Sequence, residues 1–374
     1  MRLEAPVPEA VLALIRAPFE ATGGIAVETP LAEPLGVYLD LTGEALRERL
    51  FLVQGPERED HCLRPDFTVG IARRHIETSE LAGGAATGRY VYEGPAFRVS
   101  PMGWARAEQF LQVGLEAFEA GDPAEADSEV VLLAWRAATA GGRSDLSLTL
   151  GDVALFRAFL TATGVNESAA SRLTHALAHP ARLERELTGE AAPVSSPLAG
   201  LLVGLEEAKA VAVLEDIWGL SGIEPVGGRG AADIVHRLTA RAAIASAPRL
   251  SNEARELVRL YLAIDDQPAA AFESVRRLAR GKVLDEALAG WSRRLANMAE
   301  IPAARMRFAA AFHRPFGYYD GVLFEVRSAE LGEDQPVAAG GRYDGLPARL
   351  GRVLPSGAVG CMVRPARAWK AGGA

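Results

Sequence analysis

Apolar positions divide the chain into short segments of contrasting period. From Pro8 to about Thr22, Val11, Leu12, Ile15 and Phe19 recur at helical spacing, and Gly23-Gly24 ends the run. Brief extended stretches follow at Ile25 to Glu28 and Phe51 to Val53, and "LRPDFTVGIARRHIET" passes from extended chain into a helix that Asp66 or Thr68 can cap. "RYVYEG", "PAFRVS" and Phe110 to Phe118 read as an antiparallel meander, separated by Gly-Pro and by "PMGW". Pro123 opens a helix to about Ala138, "DLSLTL" is a strand, and Asp152 caps the next helix. Between residues 166 and 300 Ala, Leu, Arg and Glu dominate with helical period and no strand signal. Strands return in "RMRFAAAF", "GYYDGVLFEV" and "QPVAAGGRY", followed by a short helix with Asp344 as its expected N-cap and a last strand near Ala358 to Val363. This order predicts an α+β unit made of residues 1–165 and 301–374, interrupted by an all-helical insertion over 166–300.

Composition narrows the function classes. With 374 residues, 49% hydrophobic and 24% charged, the chain reads as globular. No apolar run is long enough for a membrane span and no signal core opens the sequence, so a cytoplasmic protein without a membrane partner is expected. Cys62 and Cys361 are too few and too far apart for a disulfide framework or a metal cluster. A formal charge of −8 and the lack of a basic block argue against a nucleic-acid partner.

Candidate chemistry begins on the strand Phe110 to Phe118. Leu111, Val113, Leu115 and Ala117 share one face; Gln112, Gly114 and Glu116 share the other, with Gln112 and Glu116 about 13 Å apart. That polar row is either a solvent-facing strand or the floor of a small polar pocket, with Gly114 admitting a ligand to the backbone. Ala338 to Gly341 form a second bare stretch, against which either a backbone or a ligand packs closely. Arg314 precedes Tyr318 and Tyr319; on a strand, only one of the two tyrosines could line a given pocket. His175 and His179 are spaced for one helical face, but no HExxH pattern or third ligand accompanies them, so neither a metal nor a cofactor is expected. "VGGRGAAD" lacks the spacing of a phosphate loop.

Taken in order, "LRPDFT", "GPAFR", "EQFLQVGLEAF", "YYDGVLFE", "GGRYDGL" and "GAVG" resemble the catalytic core of class II histidyl-tRNA synthetases. The resemblance implies an antiparallel sheet of about six strands flanked by helices, a helical insertion, dimerisation through the N-terminal region, and a histidine pocket on the sheet. Carried over, the pocket residues are Glu33, Gln112, Glu116 and Tyr319, with Tyr318 beside it and Arg314 at the position of the synthetases' catalytic arginine. An anionic Glu116 would suit an ammonium or imidazolium group, with Gly114 leaving room for it.

The departures from that family redirect the expected function. Arg98 is followed by Val99 and Ser100 where the synthetases have Arg-x-Glu, and Arg367 is preceded by Ala366 in place of an acid. Gly317 stands for the acidic residue before the tyrosines, and Leu35 for a histidine-contacting threonine. Arg98 and Arg367 therefore read as remnants of a nucleotide site. The sequence ends soon after Val363, so no anticodon-binding domain and no tRNA partner are expected. "LRPDFT" is the wording of the regulatory subunits of ATP phosphoribosyltransferase, and resemblance to that family implies a non-catalytic chain. It would pair with itself and assemble with the short-form catalytic subunit into a hetero-octamer, activate it in the first step of histidine biosynthesis, and answer to L-histidine as effector. The alternative is a free-standing synthetase-like enzyme that adenylates histidine or a related substrate.

Overall fold

The structure, a computed structural model, describes residues 1–42, 47–55, 60–81, 87–100, 106–119, 121–189, 205–221, 230–232, 234–236, 238, 250–314, 317–352 and 357–371. The segment "PMGW" and residues 226–229 of the glycine-rich run lie outside these. Twelve strands are formed among the described residues: β1 Ile25–Ala26, β2 Ala32–Pro34, β3 Leu52–Gln54, β4 Asp60–Leu63, β5 Gly88–Phe97, β6 Gln109–Glu119, β7 Leu146–Asp152, β8 Asp265–Asp266, β9 Met306–Ala309, β10 Val322–Ser328, β11 Ala338–Arg342 and β12 Gly357–Val363. Nine of them build one sheet in the order β1-β5-β6-β12-β11-β10-β7-β9-β8, and β2-β4-β3 form a second. The six central strands, β5 to β7 in that order, are antiparallel throughout. Parallel pairs occur at the flanks, β1 with β5 and β7 with β9, so the whole sheet is mixed and wider than the six strands expected.

One correction concerns β5. The two segments expected on either side of Gly94-Pro95 are a single strand. Arg64 Nε donates to Pro95 O at 2.8 Å, which places the carbonyl, and with it the missing N–H, on the edge away from β6. A proline there costs the ladder no hydrogen bond.

Two cores lie on the two faces of the large sheet. On one, Val113, Leu115 and Ala117 of β6 pack with Leu12, Ile15 and Phe19 of the helix Glu9–Glu20 and with the helix Pro123–Ala140. The helices Val153–Ala162, Glu167–Ala176, Asn252–Leu262, Pro268–Leu278 and Lys282–Asn297 send Phe156, Leu173, Tyr261, Phe272 and Trp291 into the same core. Asp122, Asp152 and Asn166 each cap a helix with a side-chain oxygen on a backbone amide. Between 166 and 300 the described regular elements are helices except for β8, whose pairing with β9 adds the last strand. The helix Glu207–Ser221 packs in a small separate cluster of Ala210, Leu214, Ala231 and Val235. On the opposite face, Tyr90 and Tyr92 of β5, Phe118 of β6 and Met362 of β12 meet Phe67, Val69 and Ile71 of the helix Thr68–Leu81 and its approach.

Glycines in the sheet answer one open question. A Cβ on Gly340 would lie 2.3 Å from Gly360 O, and one on Gly341 2.6 Å from Val322 O, so neighbouring backbone fills the bare stretch, not a ligand. Asp344 does not cap the short helix Leu346–Arg349; its carboxylate takes Arg342 at 2.9 Å and the Ala358 amide at 2.7 Å. Asp320 instead accepts the Asp344 and Gly345 amides. His175 and His179 do not share a helical face, because one helix ends at Ala176 and His179 stands at the start of the next, Pro180–Thr188.

The helix Lys282–Asn297 is tied to the sheet by a buried ion network in which Asp127 binds Arg294 at 2.6 Å and Arg342 at 2.8 Å. Asp127→Ala leaves the Arg294 guanidinium without its carboxylate and Arg342 with Asp344 alone, and is expected to cost about 3 kcal/mol. Urea unfolding checks this, and a loss below about 1 kcal/mol would show that the network is not holding the helix to the sheet.

Candidate functional site

The polar row of β6 is not solvent-facing. Gln112 and Glu116 are 0% and 1% exposed, and they open into a cavity lined also by Asp66, Thr68, Tyr92, Arg98, Arg314, Tyr318, Tyr319 and Met362. The row lies on the face of the sheet covered by the helix Thr68–Leu81, which explains why no solvent reaches it. The cavity has room for about one water-sized sphere, about 20 Å³.

Glu116 is held by hydroxyl groups. Thr68 Oγ1 donates to Oε1 at 2.7 Å, Tyr92 Oη approaches the same oxygen at 3.5 Å, and the Tyr343 hydroxyl donates to Oε2. The arginines of the cavity are engaged apart from Glu116: Arg98 Nε donates to Pro65 O at 2.8 Å and Arg314 is ion-paired with Glu325, while burial raises the Asp66 carboxyl against the pull of Arg98. Burial pushes the Glu116 carboxyl up to about 8, against the opposite pull of its hydroxyl partners. At neutral pH the group is therefore largely protonated, and the anionic form expected from the sequence needs a cation placed against it.

Several polar atoms around this space have no hydrogen-bond partner among the described residues. Both the amide nitrogen and oxygen of Gln112, Oδ1 of Asp66 and Nε of Arg314 are buried and unbonded. A buried amide without partners costs about 1–3 kcal/mol, so four such atoms around one cavity point to a polar occupant.

Two expectations about this site change. Gly114 does not leave room for a ligand: a Cβ there would stand 2.2 Å from Cys361 O and 2.5 Å from Tyr92 Oη, so strand and tyrosine already fill the space. Tyr318 and Tyr319 both line the cavity, because they lie in the turn before β10, where strand alternation does not apply. Their rings are 4.7 Å apart, and Tyr318 Oη donates to Asp66 Oδ2 at 3.3 Å.

Gln112, Glu116, Arg314, Tyr318, Tyr319 and Arg98 thus come together, while Glu33 and Arg367 do not join them. Glu33 sits on β2 in the small sheet, buried against Gly70, with Arg73 Nη1 donating to it at 2.7 Å. Arg367 lies in the short helix Pro365–Ala368, donates to Pro336 O at 3.0 Å, and faces a separate hollow with Arg106 and Arg364. Sequence reasoning missed Asp66, Thr68, Tyr92 and Tyr343 as lining groups or partners. Asp66 and Thr68 carried only a capping signal, and Asp66 does accept the Val69 amide. Tyr343 meets Glu116 from 227 positions away, a pairing visible only once β12 and β11 lie beside β6.

The sheet, its flanking helices and the placement of the cavity define a fold of the class II synthetase type. A family model described as histidyl-tRNA synthetase matches residues 4–220 and 230–365. Similar solved structures include an ATP phosphoribosyltransferase regulatory subunit/histidyl-tRNA synthetase from Bacillus halodurans, with TM-score 0.64 and 22% identity over 99% of this chain and 82% of that one. Another is a histidine–tRNA ligase subunit from Alicyclobacillus acidocaldarius, with TM-score 0.57 and 20% identity over 98% and 94% of the two chains. Curated proteins called ATP phosphoribosyltransferase regulatory subunit match more strongly: that of Rhizobium meliloti is 36% identical over 90% of this chain and 89% of its own length, and that of Mesorhizobium japonicum 36% over 95% of each. The chain belongs to the family of ATP phosphoribosyltransferase regulatory subunits, within the histidyl-tRNA synthetase-like proteins.

The raised Glu116 carboxyl has a consequence for stability. Between the ordinary carboxyl range and about pH 8, the folded chain keeps a proton that the unfolded chain has released, so each unit of rising pH costs about 1.4 kcal/mol from this group. Glu116→Gln removes that cost, and the stability of the variant relative to the parent is expected to grow from about pH 5 to about pH 8. Urea midpoints at the two pH values check this; a flat or shrinking difference would contradict the assignment.

Proposed function

We propose that this chain is a non-catalytic regulatory subunit of ATP phosphoribosyltransferase that activates the short catalytic subunit and carries feedback inhibition by L-histidine. The observation that carries the reading is the pairing of a buried carboxyl held only by hydroxyls with an unbonded amide, Glu116 and Gln112, on one wall of the cavity. A cationic amine or imidazole against Glu116 would ionise it, and the amide and Asp66 would take the remaining donors and acceptors of an amino acid. The names of the curated relatives support the regulatory role, and Ser100 and Ala366 in place of the synthetases' acids support the loss of adenylation.

In this reading the tyrosine turn is the moving part. The cavity is too small for an amino acid as it stands, so histidine entry displaces Tyr318 and Tyr319 and breaks the Tyr318–Asp66 hydrogen bond. Because the turn is continuous with β10, ligand occupancy can bias the arrangement of the chain against its partner, and by reciprocity the partner's ligands must alter histidine affinity. The chain would act as a self-paired unit within a hetero-octamer.

Two outcomes are expected. In calorimetry at neutral pH, L-histidine binds the full chain with release of a proton from Glu116, seen as a dependence of the heat on buffer ionisation; Glu116→Gln abolishes the release and weakens binding about tenfold or more. Equal binding and equal proton release in the variant would refute the role of Glu116. Added to the short catalytic subunit, the chain raises its turnover and histidine reverses the gain, while the chain alone shows no histidine-dependent ATP/pyrophosphate exchange. Robust exchange would favour an adenylating enzyme instead.

A further inference from the structure

A third hollow, of about 370 Å³, is lined by Ser147, Thr149, Arg305, Arg307, Arg327 and Glu333 among others. Its floor follows from register: Arg327 of β10 stands opposite Ser147 of β7, and Thr149 of β7 opposite Arg307 of β9, so these four side chains share one face. The opposite face of β7 sends Leu146, Leu148 and Leu150 into the core, which leaves this polar face outward.

Three guanidinium groups line the hollow together with Glu333. Arg307 is paired with Asp265 and Arg327 with Glu325, so what the hollow offers is unused guanidinium N–H donors, not a surplus of charge. Among the described residues Arg305 is held by backbone, its Nη1 donating to Ser144 O at 2.7 Å and Leu146 O at 3.2 Å, so its charge has no carboxylate among these partners. Arg307 gives Nε and Nη2 to Asp265, and Arg327 gives the same two nitrogens to Glu325 at 2.9 and 2.8 Å. Each pairing fixes the guanidinium plane and leaves Nη1 of Arg307 and Arg327, with Nε and Nη2 of Arg305, for a further acceptor. The hydroxyls of Ser147 and Thr149 add two donors from the floor.

We propose that this hollow binds a small phosphate-bearing anion. Guanidinium donors arriving from three separate backbone positions suit the several oxygens of a phosphate better than the two of a carboxylate, and the volume is that of a small-molecule site. The site stands apart from the Glu116 cavity and does not depend on what that cavity binds; the two share only Glu325, which takes Arg314 on Oε1 and Arg327 on Oε2.

The test is calorimetric titration of the full chain with orthophosphate and, separately, with ribose 5-phosphate, against sodium chloride at matched ionic strength. Saturable binding of either anion in the millimolar range or tighter is expected, and the tighter of the two tells whether the free ion or a phosphomonoester is held. Arg305→Ala and Arg307→Ala are each expected to weaken it about tenfold, while Arg293→Ala, an exposed arginine paired with Asp122, leaves it within about twofold. Arg307 is half exposed, so its variant keeps the test valid if Arg305→Ala fails to fold. Absence of saturable binding, or equal weakening by Arg293→Ala, would overturn the proposal. Glu116→Gln should leave phosphate binding unchanged, which separates its failure from that of the histidine reading.

Discussion

The site depends on one steric constraint in the register of β12 against β6. Gly360 stands opposite Glu116, and a Cβ on it would lie 1.6 Å from Glu116 Oε2, so the carboxyl occupies the volume that any other residue at 360 would fill. From that placement the rest follows. The carboxyl is buried under the helix Thr68–Leu81, it recruits the hydroxyls of Thr68 and Tyr343, and burial lifts its titration far above the ordinary range. A fold that retains such a group bears a continuing cost, and a ligand that supplies the cation offsets it.

In the proposed reading, this face keeps one half of a synthetase-like site without the other. Gln112 and Glu116 remain convergent, and Arg314 still reaches the cavity, though it is held by Glu325. Arg98 gives Nε to Pro65 O at 2.8 Å and Arg367 gives Nη1 to Pro336 O at 3.0 Å, each a backbone carbonyl. Binding without turnover is the arrangement a regulatory chain requires, since it needs an affinity that differs between two states and no reaction.

Much of the sheet was legible in the sequence because burial on one face imposes period two. Leu111 to Ala117 alternate with Gln112 to Glu116, and the antiparallel order of the six central strands agrees with the resemblance to the synthetases. Helix starts were readable from Pro123, which suits a first turn, and from Asp152, whose side chain caps locally. What escaped was non-local. Gly114 and Gly340 are small because strands meet them closely, a matter of register that one strand cannot report. Tyr318 and Tyr319 line one cavity because they precede the strand, a boundary shift of a few residues that reverses the facing argument. Glu33 was carried over by motif, yet its nearest cation is Arg73 on a neighbouring helix, and no local pattern foretells that pairing.

The most direct measurement is a crystal structure of the chain grown or soaked with L-histidine. The account predicts the ligand's cationic group against Glu116, Gln112 bonded through its amide, and the Tyr318–Tyr319 turn moved off Asp66. Histidine bound elsewhere, with the cavity closed and Gln112 still unbonded, would contradict it.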